Sequence, residues 1–172
     1  MISAREALER LRDGNRRFVS GMRRNATLTN QTRRSELAAG QEPFAIILGC
    51  SDSRVPAEIV FDQGLGDLFV IRVAGNIVAS SQIGSVEFAA ERFSTPLVVV
   101  LGHSRCGAVL ATLEELMRPK ENQSRNLRSI VDRVRPSVEA LLATELRHDV
   151  VGAEYSLETG IVDFFDGVPA AG

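Results

Sequence analysis

The chain has 172 residues, with 20 Lys and Arg against 22 Asp and Glu, a formal net charge of −2, 44% hydrophobic residues and 5% aromatic residues. This balance fits one globular domain with a packed core and excludes wholesale disorder or a disulfide-stapled miniature scaffold. It also speaks against a dedicated nucleic-acid binder, which carries a basic excess with interleaved stacking residues, and against a membrane span, since apolar runs such as 45–48 and 97–101 fall far short of the roughly 20 residues required.

In chain order, Ser3 and Glu6 form an S-x-x-E capping box, and Ala7, Leu8, Leu11 and Phe18 recur at helical spacing up to Gly21, which predicts an amphipathic helix. Residues 22–40 are polar, with arginine pairs Arg23-Arg24 and Arg33-Arg34. They read as an arm with a short helix near its end, either a solvated basic surface or a segment anchored by a partner subunit. Residues 44–49 form an apolar run between Pro43 and the polar Ser51-Asp52-Ser53, as a strand buried on both faces requires, and 68–73 and 97–101 read the same way. Between the latter two, Ile83, Val86, Ala90 and Phe93 share one helical face, so strand, helix and strand alternate as in a parallel sheet. Helices are predicted over 108–117 and 127–146, then strands over 150–155 and 161–165 joined by Glu158-Thr159-Gly160, a hairpin at the edge of the sheet. The expected fold class is α/β, a mainly parallel sheet flanked by helices with an antiparallel edge strand. It is read as a single domain, 1–172, with a helix and arm over 1–40 and the core over 41–172.

Both cysteines and one of the two histidines fall in two short segments, Cys50-Ser51-Asp52-Ser53-Arg54 and His103-Ser104-Arg105-Cys106. Each follows a predicted strand, and the carboxyl ends of strands are where open α/β sheets form their ligand sites. Singly, Cys50 and Cys106 suit packed core thiols and His103 a hydrogen-bonded loop residue. Together, two thiolates and an imidazole make a soft, tetrahedral donor set that favours Zn²⁺ and leaves a fourth position open for water or substrate. The thiols are not a C-x-x-C pair, which speaks against redox chemistry, and His148, without a nearby ligand pattern, reads as a surface histidine. The N-terminus lacks the apolar stretch of a secretory signal, and Glu6, Glu9 and Asp13 do not suit an acid-poor transit peptide, so a cytoplasmic location is expected.

The sequence resembles the β-class carbonic anhydrases. The resemblance is carried by C-S-D-S-R-V at 50–55, R-V-A-G-N at 72–76 and G-H-S-R-C-G at 102–107, and it extends to G-A-E-Y-S-L-E-T-G at 152–160. It implies reversible hydration of carbon dioxide to bicarbonate and a proton, at one Zn²⁺ per chain held by Cys50, His103 and Cys106, with Asp52 and Arg54 as a catalytic dyad. It also implies a homodimer or a larger even-numbered homo-oligomer. Asp52 is close enough either to accept a hydrogen bond from the attacking hydroxide or to coordinate the metal, and a bidentate contact with Arg54 decides for the first. Cys106 falls at a predicted helix start, where backbone N–H groups favour a thiolate. Gln41, Phe69, Ala74 and Phe88 occupy positions where plant-like members bind substrate, an apolar pocket with one amide that suits CO₂. Phe69 and Phe88 equally suit plain core packing. Phe88 stands where plant members carry tyrosine, and Ile47 where some bacterial members carry the tryptophan of a regulatory bicarbonate site, so that regulation is not expected.

Two other functions fit the same residues: hydrolysis of a CO₂ analogue such as CS₂ or COS, and a zinc-binding scaffold that has lost turnover. Compared with family members of ordinary length, the chain is short between the helix ending near Leu142 and the strand beginning at Val150. Roughly two helical segments are missing there, and only residues 143–149 remain. A parallel sheet needs cover on both faces, so the shortening predicts an obligate oligomer with the terminal hairpin close to the subunit boundary.

Overall fold

A computed structural model describes residues 2–24, 31–119, 124–143 and 153–165. The helix α1, Ala4–Val19, opens with both halves of its capping box: Glu6 N–H donates to Ser3 Oγ at 3.2 Å, and Ser3 N–H to Glu6 Oε2 at 2.7 Å. A short α2, Gln31–Leu37, follows, then β1, Ala45–Gly49, the one-turn α3, Ala57–Val60, and β2, Leu68–Arg72. A 3₁₀ turn at Ala74–Asn76 leads to α4, Ser80–Phe93, and β3, Val98–His103. Helices α5, Gly107–Met117, and α6, Arg125–Ala143, precede the hairpin of β4, Ala153–Tyr155, and β5, Val162–Phe164. The expected end of the second long helix at 144–146, the 144–149 link with His148, and the first residues of the strand predicted from Val150 lie outside the described residues.

The five strands lie in the order β2-β1-β3-β4-β5, parallel except for the antiparallel β4–β5 pair. The predicted α/β class with an antiparallel edge strand therefore holds. One sheet face, with Ala45, Ile47, Val99, Leu101, Ala153 and Tyr155, packs on Ala7 and Leu11 of α1 and on Ala57, Val60 and Phe61. Gly14 permits that contact, because a Cβ there would lie 1.7 Å from the Phe61 carbonyl oxygen. Asn15 fastens the same helix to the far end of the chain. Its amide donates to the carbonyls of Val60 at 3.2 Å and Gly160 at 2.9 Å, and its Oδ1 accepts the Val162 N–H at 2.9 Å.

The opposite face differs from the expectation in two places. In α4, Val86, Ala89 and Phe93 pack on Ile46, Leu48 and Ile71, whereas Ile83 and Ala90 point to solvent. Both sets satisfy helical spacing, and the docking of α4 over β1 and β2 selects between them. Strand β3 is not buried on both faces but alternates: Val99, Leu101 and His103 are buried, while Val98 and Val100 are 43% and 38% exposed. They pair with Ile46 and Leu48 but stand beyond the cover that α4 gives β1 and β2. The apolar pattern of a covered parallel strand is present without its cover. Helix α6 packs against α5, burying Val131, Val134 and Val138. Among the described residues no helix is long and apolar enough to cross a membrane.

Candidate metal centre

Strands β1 and β3 are hydrogen-bonded neighbours, so the loops that leave their carboxyl ends meet. Cys50 follows β1 directly. Its backbone carbonyl accepts from Arg72 Nε at 3.0 Å, and the same guanidinium donates to the Asp52 carbonyl at 2.6 Å, so Arg72, the last residue of β2, braces the whole loop. Gly75 donates its N–H to Cys50 Sγ at 3.4 Å from a left-handed backbone, φ +70°. A side chain at Gly75 would meet Ala108 Cβ at 2.9 Å, so both the conformation and the close approach require glycine.

His103 ends β3 with its ring buried. Nδ1 lies 2.9 Å from the Ser104 carbonyl, which can only accept, so Nδ1 carries the proton and Nε2 presents its lone pair. Nε2 is buried without a hydrogen-bond partner. Cys106 is the N-cap of α5, where the backbone N–H groups of Ala108 and Val109 act to lower its thiol without a side-chain capping hydrogen bond. Burial outweighs them and pushes the thiol up, with Cys50 raising it further, so the helix start acts in the expected direction but is not the larger effect. A bound cation would favour the thiolate form of the buried Cys106. The ligand atoms of Cys50, His103 and Cys106 all lie within 4.8 Å of one another. An orphaned imidazole nitrogen facing two free thiols fits a soft divalent metal such as Zn²⁺.

Asp52 stands beside this group, its Oδ2 3.9 Å from His103 Nε2. Arg54 grips the carboxylate in a fork, Nε to Oδ1 at 2.9 Å and a terminal nitrogen to Oδ2 at 2.7 Å, and adds its backbone N–H to Oδ1 at 3.0 Å. These bonds, the side-chain pair first, hold the Asp52 carboxyl well below the usual carboxylate range.

Of the four expected pocket residues, one lies at the ligands: Ala74, next to Gly75. Phe69 pairs with Ile46, toward the amino ends of the strands, and its ring sits 6.3 Å from Phe88 and 6.1 Å from Phe93 in an aromatic cluster on the α4 side. Gln41 lines a separate cavity of about 540 Å³ with Arg10, Phe44, Arg92 and Phe93. Within one chain the fold does not bring Gln41, Phe69 or Phe88 to the ligand group. Sequence reasoning assigned no role to Arg72 and Gly75, although both lie in the R-V-A-G-N segment, nor to Ser104, which separates two ligands, nor to Glu158, for which no local signal exists.

A family model described as carbonic anhydrase matches residues 45–158. Carbonic anhydrase 2 of Mycobacterium tuberculosis and the carbonic anhydrase of Mycolicibacterium smegmatis are each 48% identical over 132 residues, covering 77% of this chain and 63% of theirs. The chain thus spans less than two thirds of the length of these curated relatives. Among solved structures, the β-carbonic anhydrase CafA of Aspergillus fumigatus aligns with a TM-score of 0.65 at 24% identity, over 79% of this chain and 82% of that one. The β-carbonic anhydrase CcaA aligns with a TM-score of 0.56 at 24% identity, over 92% and 95% of the two chains. The family match runs from β1 to the turn before β5 and so includes every ligand-bearing loop, and the chain belongs to the β-class carbonic anhydrase family.

Proposed function

We propose that this chain hydrates carbon dioxide reversibly to bicarbonate and a proton, in the cytoplasm, with one Zn²⁺ per chain on Cys50, His103 and Cys106. The observation that carries this reading is the buried, partnerless His103 Nε2 facing two free thiols in a chain of this family. Zinc, when bound, supplies a nucleophile of hydroxide strength at neutral pH. The residues of the chain supply the rest. His103 is fixed in one tautomer by the Ser104 carbonyl, and Cys50 and Cys106 would hold the metal as thiolates. Arg54 holds Asp52 back from the ligand set, which keeps the fourth position open. With zinc bound, Asp52 Oδ2 would accept a hydrogen bond from the nucleophile and so orient its lone pair toward the carbon of CO₂. The overall reaction would release its proton to solvent when water becomes hydroxide, and hydroxide plus CO₂ would then give bicarbonate with no further proton loss.

Ala74 lines the reaction side, and Gln41, Phe69 and Phe88 remain the proposed substrate pocket. Because they sit apart from the ligands of their own chain, we read the pocket as one that a second copy completes, in an even-numbered homo-oligomer. The open face of β3, with exposed Val98 and Val100, supports association. A chain solved in a study of two tetrameric β-carbonic anhydrases of Sordaria macrospora has the same fold, with a TM-score of 0.57 at 22% identity.

The deciding experiment pairs elemental analysis with stopped-flow CO₂ hydration on one sample, with CS₂ and COS assayed alongside. One zinc per chain with CO₂ turnover is expected. Zinc without turnover points to a scaffold, and turnover confined to CS₂ or COS points to a hydrolase. Either result overturns the reading.

A further inference from the structure

Two of the three proposed ligands flank a two-residue turn, Ser104 and Arg105, whose side chains both end on one carboxylate. Ser104 Oγ donates to Glu158 Oε2 at 3.1 Å, and the Arg105 guanidinium lies 2.8 Å from Oε1. Glu158 belongs to the turn between β4 and β5, 54 residues along the chain from Ser104. The rest of that turn closes on the same point: Leu157 N–H donates to Ser104 Oγ at 3.1 Å, Ser104 N–H to the Tyr155 carbonyl at 3.1 Å, and the Ser156 hydroxyl to Oε2 at 3.4 Å. Arg105 has a φ of +55°, a left-handed conformation that non-glycine residues keep only where their surroundings hold them. The Ser104 carbonyl orients the His103 ring, and the Arg105 backbone determines where Cys106 enters α5.

We propose that Glu158 is a positioning residue: it clasps the Ser104-Arg105 turn and so fixes the placement of His103 and Cys106 as metal ligands. This rests on the metal reading above. The clasp contributes little to folding, because Arg105 and Glu158 side chains are 73% and 46% exposed and such ion pairs are weak in water. It supplies geometry, since each carboxylate oxygen receives one of the two turn residues. Glutamine at this place keeps the shape but removes the charge that faces Arg105 and replaces one acceptor with a donor, so Ser104 Oγ gives up its donated hydrogen bond or Arg105 its acceptor.

The test uses the full chain loaded with zinc, following metal release to a chelator, and the same chain loaded with Co²⁺, whose visible bands report ligand geometry. Glu158→Gln and Ser104→Ala should each speed zinc release about tenfold and shift the cobalt bands, as partners of metal ligands do. The thermal midpoint of the metal-free chain should not move in Glu158→Gln, whereas Ser104→Ala also loses the Leu157 N–H contact and is read by its cobalt bands. The double variant should release zinc no faster than the more affected single variant, because both act through one contact. Wild-type release and cobalt bands in Glu158→Gln overturn the proposal while leaving the metal reading intact, with Cys106→Ser as the control that loses metal outright. A lowered metal-free midpoint with unshifted cobalt bands assigns Glu158 a structural role and also overturns it. A wild-type chain that takes up neither metal overturns the metal reading, and this proposal with it.

Discussion

Replacing Asn15 by leucine should destabilise the fold far more than an ordinary polar-to-apolar exchange on a helix. Asn15 is 5% exposed and makes three hydrogen bonds, to the carbonyls of Val60 and Gly160 and from the Val162 N–H. Each is worth about 1 kcal/mol net, and the Val162 N–H, left buried without an acceptor, adds about 1–3 kcal/mol. Some of this returns through the apolar surface that leucine buries, so the expected loss is about 4 kcal/mol, a large part of the roughly 5–15 kcal/mol that holds a domain folded. At about 2–4 °C per kcal/mol for a chain of this size, the thermal midpoint should fall by about 8–16 °C. Circular dichroism melts of the metal-free chain measure the shift, and amide hydrogen exchange at Val162 locates it. A midpoint within about 3 °C of wild type, with Val162 protection unchanged, would refute the claim that this amide ties α1 to the terminal hairpin.

Cys50→Ser and Cys106→Ser should each strip the metal, because a neutral hydroxyl does not replace a thiolate; full zinc occupancy by elemental analysis in either variant removes that ligand from the set. Arg54→Ala and Asp52→Ala should keep zinc yet lose CO₂ hydration by about 10–100-fold, and wild-type rates in both reject the dyad. The Asp52 carboxyl is held below its ordinary range by Arg54, so its contribution to stability is fully present above that range and lost only as pH falls through the depressed folded value. Carboxyl carbon NMR should accordingly show Asp52 ionised throughout the neutral and mildly acidic range, and titrating nearer the ordinary carboxylate value in Arg54→Ala; a wild-type Asp52 that titrates there contradicts the fork. Lysine at Val98 or Val100 should shift light scattering toward smaller species, and a stable, active wild-type monomer at micromolar concentration rejects the proposed assembly.

What was legible in the sequence is what is encoded locally. The Ser3 and Glu6 capping box needs only spacing, and the structure contains it bond for bond. The group of Cys50, His103 and Cys106 was legible because thiols and an imidazole are chemically distinctive and each of the two motifs follows an apolar run. Long-range hydrogen bonds left no such trace: Asn15 is one polar residue on an amphipathic helix, and its partners lie up to 147 positions away. Glu158 and Arg72 act through contacts set by the sheet order, which spacing does not specify. Val98 and Val100 misled for a physical reason, since apolar residues alternating with apolar residues describe a strand buried on both faces whether or not a cover is present. The Cys106 thiol was read from its helix terminus, whereas the larger effect, burial, exists only in three dimensions.

The parallel pairing of β1 with β3 has a consequence for how the proposed metal would be taken up. His103 and Cys106 are close in the chain, but Cys50 reaches them only after β2 and α4 have folded between, so the unfolded polypeptide holds no ready three-point chelate. Pairings of this non-local kind form late and slowly. A slip of one residue between the two strands would turn His103 to the opposite side of the sheet. Uptake of the proposed metal would therefore reward only the chain that has chosen the right register, and by mass action it would draw the folding population toward that arrangement and away from its near misses.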